Sequence, residues 1–303
     1  MNEILCSTGA LLGRPNNRDY RHLKELFGQL VCDGLELMVY DSWYPEAEEM
    51  MRTLAGFDLP IPVVHCQKSL SEQLSGGIVR LINGEYIYYE MTTDEDEKNF
   101  ERAILEFKLN LDIASCVGAD RMVLHLWNGL ISDRNIRRNV ERFGRLKEMA
   151  EKKGILLMVE NVICNTHDPM YDMRLVYEAY PDVSFVFDTK MAEFHGQTAL
   201  LFEEEWRWML TGGHIRHFHI NDYGGGLKDW GNLRVLPIGK GHVDFASFFS
   251  KLKDYDYSGD YTVEATAFGA DLGQRVALNG DAEGGGALLA AAPQDGPSSD
   301  CLH

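Results

Sequence analysis

Several short apolar runs in this chain end in side chains that carry protons or bind metals. The ends are Tyr40-Asp41-Ser42-Trp43, His65, His125-Leu126-Trp127-Asn128, Glu160-Asn161, Asp188, His219-Ile220-Asn221-Asp222 and Glu264. Burying such groups among apolar residues is expensive unless a metal or a polar partner satisfies them. Two Glu, one Asp and one His form a hard-to-borderline donor set. It suits Mn²⁺, Mg²⁺, Co²⁺ or Zn²⁺, with room left for substrate oxygens. The absence of thiolates argues against a closed structural zinc site. Each residue alone has an ordinary reading, as a satisfied core histidine or a helix-capping acid. The shared position at run ends gives the set its weight.

The runs that must position these groups cover residues 3–7, 34–40, 61–66, 121–126, 155–161, 183–187, 215–220 and 260–264. Most read as continuous Val, Ile, Leu and Phe, as strands covered on both faces do. Amphipathic helices alternate with them. Phe100, Ile104, Phe107, Leu111 and Ala114 recur at helical spacing, as do Ile136, Val140, Phe143 and Leu146. Asp94 and Asp133 stand where N-caps belong, and Gly118 and Gly154 where helices end. Eight strands alternating with helices predict an α/β fold, a single-domain (β/α)₈ TIM barrel over residues 1–268. An open doubly wound sheet is the alternative, but no GxGxxG follows the first strand. Residues 67–93 form a long connection on the side where barrels build their sites. Residues 269–303 hold seven Gly, seven Ala and no aromatic residue in 35 positions, the composition of a disordered tail.

The 303 residues are 45% hydrophobic and 25% charged, ordinary globular values. A formal charge of −18 disfavours binding to a polyphosphate backbone. The six cysteines are scattered and include no CxxC pair, the pattern of buried, reduced thiols. The start of the chain lacks a signal-type run, and no apolar stretch is long enough to span a membrane. A cytoplasmic location is the corresponding expectation. No surface stripe marks a partner face, although a homo-oligomer is compatible with a barrel of this kind.

Five blocks in the second half resemble the xylose isomerase-like (β/α)₈ superfamily, which also includes endonuclease IV-type proteins. They are Leu157-Met158-Val159-Glu160-Asn161, Phe187-Asp188-Thr189, His217-Phe218-His219-Ile220-Asn221-Asp222, Pro237 to Phe245, and Tyr261-Thr262-Val263-Glu264. The likeness extends over roughly residues 1–266, and the order of the blocks is its distinctive part. It implies that Glu160, Asp188, His219 and Glu264 bind one divalent metal. It further implies that Glu160 and Glu264 face opposite sides of a sugar and move protons. A metal-chelated carbonyl and hydroxyl would stabilise the enediolate while one Glu abstracts a proton and the other returns it. His65 and His125 match strand-end histidines that face substrate hydroxyls in single-metal relatives and hold further metals in the endonuclease type.

The chain departs from the family at two places. Met191 stands where many members carry a His, and His195 is the nearest imidazole. Leu233-Arg234-Val235 replaces the Asp-x-His pair of the endonuclease type, which argues against a three-metal phosphodiesterase. Lys190 is a candidate contact for a substrate carboxylate or phosphate, or else a salt-bridged lysine. Asn161 is counted with the substrate-binding residues. Asp222 would contact substrate or orient His219. Trp127, Trp43 and Tyr40 would wall a sugar ring or simply pack. Gly239-Lys240-Gly241 reads as a tight turn more readily than as a phosphate site. The expected activity is that of a metal-dependent sugar or cyclitol isomerase or epimerase acting on a small molecule. An inosose-type dehydratase, an endonuclease IV-like phosphodiesterase and a non-catalytic sugar-binding protein are the alternatives.

Overall fold

In the computed structural model of the chain, eight parallel strands close on one another, and residues 2–83, 85–129 and 132–265 are described. The strands are β1 (Ile4–Ser7), β2 (Gly34–Met38), β3 (Val63–His65), β6 (Arg121–Leu124), β7 (Leu156–Glu160), β8 (Ser184–Asp188), β9 (Ile215–Ile220) and β10 (Asp260–Val263). Their order around the barrel is β1-β10-β9-β8-β7-β6-β3-β2. Each expected run holds one of them, trimmed by a few residues at the ends. The Gly/Ala-rich stretch 269–303 lies outside the described residues, as does the end of the expected domain at 268.

The connection after β3 is more ordered than its sequence suggested. It holds a short helix, Leu70–Leu74, and an antiparallel hairpin of β4 (Gly77–Ile82) and β5 (Glu85–Glu90). The Asn83-Gly84 pair between two β-rich segments is the hairpin signal that the sequence carries there.

Two expected caps belong to other residues. The helix Thr93–Val117 is capped by Thr92, not Asp94. The Thr92 hydroxyl accepts from the Glu95 amide, and the Glu95 carboxylate accepts from the Thr92 amide at 3.0 Å. This reciprocal pair satisfies two orphan donors, which Asp94 two residues further in could not do. Asn135, not Asp133, precedes the helix Ile136–Lys152. Asp133 is buried, and its Oδ2 accepts from the amides of Asn165, Thr166 and His167. Gly118 and Gly154 do take the left-handed conformation just past helix ends, with φ of +77° and +70°.

Most of the core lies between the barrel and its helices, around Phe107, Phe143, Leu146 and Phe187. A separate small cluster of Leu5, Val63, Val123, Met158 and Val186 comes from five different strands and fills the barrel interior. Side chains alternate along a strand, so residues two positions on also face inward. Above this apolar layer those residues are His65, His125, Glu160 and Asp188. On β9 and β10 the inward pairs are His217 with His219 and Thr262 with Glu264, the last just past the strand. The fold thus converts a period of two in the sequence into an apolar floor beneath a polar site. Among the described residues no helix is long and apolar enough to cross a membrane.

Candidate metal centre and active site

Glu160 is the hub of the site. Its Oε2 lies 2.8 Å from His125 Nε2 and 3.2 Å from His65 Nε2, and its Oε1 lies 3.2 Å from His219 Nδ1. His219 Nδ1 also lies 3.8 Å from Glu264 Oε1. Asp188 completes the group, with ligand atoms of Glu160, Asp188 and His219 all within 4.8 Å of one another. Four strand ends therefore deliver Glu160, Asp188, His219 and Glu264 to one place. The first three are fully buried, and Glu264 keeps 15% of its side chain exposed.

The electrostatics follow from that burial. Desolvation alone would raise the Glu160 carboxyl, but His125 and His219 hold it well below its ordinary range. Burial pushes Asp188 up to about 6, with Glu160 and Glu264 adding to the rise and Lys190 opposing it. Desolvation opposes the charged form of His219, yet Glu36, Glu264 and Glu160 hold it well above its usual value. Burial lowers His125 to about 4 despite its contact with Glu160, so it is neutral at pH 7. Carboxylates thus outnumber cations in a dry pocket, and such a donor set fits a divalent cation. Glu160, Asp188, His219 and Glu264 would hold it. His65, His125 and Glu160 form a second trio of potential ligands that shares Glu160.

Neighbouring polar side chains lock the donors in place. Asn221 Nδ2 donates to Asp188 Oδ2 at 2.7 Å and to Glu264 Oε2 at 2.9 Å, tying two acids together. Asn161 was expected at the substrate, but both ends of its amide are engaged by the Asp188 backbone, at 2.5 and 3.1 Å. It therefore fixes the end of β8. Asp222 likewise has its oxygens taken by the amides of Tyr223, Gly239, Gly241 and Val243, at 2.8 to 3.2 Å. Three of these amides come from residues 17 to 21 positions away, which the sequence could not reveal. A Cβ at Gly241 would collide with Asp222 and the Tyr223 carbonyl, so glycine is required there. The segment is the expected turn, with Gly239 at φ +81°, and it leads into the helix Phe245–Lys253.

Trp127 and Trp43 are buried, and their indole N–H groups donate to Val162 O and Arg18 O, both at 2.8 Å. They pack and do not line an open face. Tyr40 is half-buried under the Arg18 guanidinium, which lies 4.7 Å from its ring centre. Lys190 is buried, and its charge acts on Asp188. Met191 contributes its amide to Asp188 Oδ1 at 2.8 Å. His195 does not take the place of the missing ligand, because its Nε2 accepts from the Cys164 amide at 3.0 Å.

Sequence reasoning missed Glu36. It lies in the middle of β2, fully buried, and faces His217, His219 and Thr262 from within the barrel. An acid at the centre of the apolar run Gly34-Leu35-Glu36-Leu37-Met38 was the available signal.

This ring of acids and histidines at the C-terminal ends of barrel strands agrees with a family model described as a xylose isomerase-like TIM barrel, which matches residues 27–281. The chain belongs to that family. No curated protein matches the sequence. Among solved structures, the family member is similar to an IolI protein with a bound zinc atom, with a TM-score of 0.61 at 16% identity over 87% of this chain and 88% of that one. It is also similar to D-allulose 3-epimerase from Methylomonas sp. in complex with D-allulose, with a TM-score of 0.61 at 17% identity over 88% and 84%. A xylose isomerase-like TIM barrel/4-hydroxyphenylpyruvate dioxygenase fusion protein aligns with a TM-score of 0.60 at 17% identity. This chain covers 41% of its length, and 90% of this chain is aligned. At these identities the likeness establishes the shared fold.

Proposed function

We propose that this barrel is a divalent-metal-dependent isomerase or epimerase of sugars or cyclitols. The observation that carries the reading is the convergence of Glu160 and Glu264 on His219 Nδ1, at 3.2 and 3.8 Å, with Asp188 beside them. A divalent metal, when bound, supplies positive charge for two adjacent substrate oxygens and for the negative charge that develops there. The chain supplies the proton transfers. Glu160 and Glu264 would serve as the base and acid at carbon, one removing a proton and the other delivering one. Neutral His125 would direct its Nε2–H at Glu160 Oε2, keeping that carboxylate oriented. Glu264 is the more exposed of the pair, and among the described residues its carboxylate accepts from Asn221 Nδ2 at 2.9 Å, so it is the freer to move toward substrate.

Neighbours of the same fold that are named for sugar epimerisation and for a bound zinc atom support this reading. The His65–His125–Glu160 trio is the one feature that favours the endonuclease-type alternative. Metal content measured together with solvent-deuterium exchange into ketoses and inososes, with and without chelator, decides between them. Near one metal per chain with metal-dependent deuterium uptake at carbon is the expected result. Metal without exchange on any candidate would leave a binding protein, and about three zinc ions per chain would bring the phosphodiesterase forward.

A further inference from the structure

His219 uses both of its ring nitrogens. Nδ1 faces Glu160 and Glu264, while Nε2 points down the barrel to Glu36 at 3.1 Å. Glu36 Oε2 also lies 3.1 Å from His217 Nε2 and accepts from the Thr262 hydroxyl at 2.7 Å. All four residues are fully buried. We propose that Glu36 is a positioning residue, which holds the proton of His219 on Nε2 and so leaves Nδ1 as the lone pair offered to the metal. The inference rests on the metal-dependent reading above and adds a residue to it.

The argument is one of donors and acceptors. An ionised carboxylate can only accept, so each group facing Oε2 must present a hydrogen. In the metal-free site both nitrogens face carboxylates, Nε2 at Glu36 and Nδ1 at Glu160 and Glu264; a cation seated among Glu160, Asp188 and Glu264 would take the place of the proton on Nδ1 and leave the one on Nε2 at Glu36. A carboxylate behind a metal-binding histidine fixes both tautomer and ring angle and raises its basicity. The geometry here also supplies a brace. Thr262 is the Cα partner of His219 across β9 and β10, and His217 lies one inward position below it. Glu36 is thus gripped from two sides and cannot swing away from His219. Oε1 of the same carboxylate also lies 3.1 Å from His219 Nε2, so both oxygens face that nitrogen. His217 Nδ1 is unpartnered, and nothing competes from that ring for the upper site.

The test uses the full chain labelled with ¹⁵N-histidine and titrated with zinc. Long-range ¹H–¹⁵N spectra report which nitrogen of each ring is protonated and which is metal-bound, and His219→Gln assigns the signal. In the wild type, His219 should show a metal-bound Nδ1 and a protonated Nε2. Glu36→Gln should weaken zinc binding by roughly 10–100-fold, because the Gln amide can donate to Nε2 and release the other tautomer. Thr262→Val removes a donor to the same carboxylate without touching His219. It should lower the melting temperature and weaken zinc binding less than Glu36→Gln does, with His219 keeping its proton on Nε2; a merely structural role for Glu36 would leave the His219 tautomer unmoved in both variants. Zinc on Nε2 of the wild-type His219 would place the ion in the lower trio with Glu36 and His217, and would overturn the proposal whether or not the Gln variant folds. Unchanged affinity and tautomer in Glu36→Gln would overturn it too. A wild type that takes up no divalent metal would remove the metal reading itself, a failure distinct from the other two.

Discussion

Glu264 differs from the other acids of the site in being partly exposed. A carboxylate that must leave one partner for another during turnover needs that freedom. Glu264→Gln should therefore fold with a melting temperature near that of the wild type and lose roughly 10²–10⁴-fold in solvent-deuterium exchange, the usual range for removing a positioned acid or base. Turnover like the wild type would take Glu264 out of the proton transfer. The same residue shows what single-chain reading can reach. Glu160, Asp188, His219 and Glu264 were legible because each ends an apolar run, and strand ends converge in a barrel. Asn161, expected at the substrate, and Asp222, expected at the substrate or behind His219, have further partners that the sequence does not display. Their oxygens are claimed by backbone amides, including those of Gly239 and Gly241, and no side-chain pattern advertises an amide.

At the scale of elements, the loop after β7 is organised by a buried acid cluster that the catalytic reading does not use. Asp172, in the helix Pro169–Ala179, accepts from the Cys164 thiol at 3.2 Å and lies 3.4 Å from His167 Nδ1. Burial, with Asp133 and Asp168 nearby, pushes Asp172 up to about 8, although the Cys164 bond opposes the rise. Between the unfolded carboxyl value of about 4 and the folded one, the native state keeps a proton that the unfolded chain has lost. Stability from this group is then full at low pH and declines as pH rises through that window. Asp172→Asn mimics the protonated form, so it should match the wild type near pH 3.5 and exceed it by about 1–3 kcal/mol or more at pH 8.5. Equal differences at both pH values, read by thermal melts, would count against a raised Asp172. Asp222 works on the next loop. Asp222→Asn turns an amide N–H toward backbone N–H groups and should destabilise the fold by about 2–4 kcal/mol, with metal binding retained. Elements themselves were easier to read than their ends. Apolar runs, most of them continuous, marked all eight barrel strands, whereas the Thr92 cap lay two residues before the expected Asp94 because the capping box with Glu95 satisfies both partners.

Across the whole molecule, the net charge of −18 is not confined to the surface. Glu36, Glu160, Asp188 and Glu264 all point into one barrel interior, and burial with mutual repulsion holds Asp188 near 6. Histidines hold Glu36, Glu160 and Glu264 below their ordinary range, so Asp188 is the acid whose charge the metal-free fold disfavours and a divalent cation would relieve. Binding to the native state alone stabilises it by about 2.7 kcal/mol when free metal is 100-fold above its dissociation constant. For a chain of this size that corresponds to a rise of roughly 5–10 °C in melting temperature. Mn²⁺, Co²⁺, Mg²⁺ and Zn²⁺ should each be compared with NaCl at matched ionic strength, since screening alone also eases repulsion between carboxylates. The expected outcome is a rise with at least one divalent ion, reversed by chelator and lost in Asp188→Asn, while NaCl has little effect. A rise of the same size with NaCl, or one that survives Asp188→Asn, would mean that general charge relief and not a site at Asp188 is responsible.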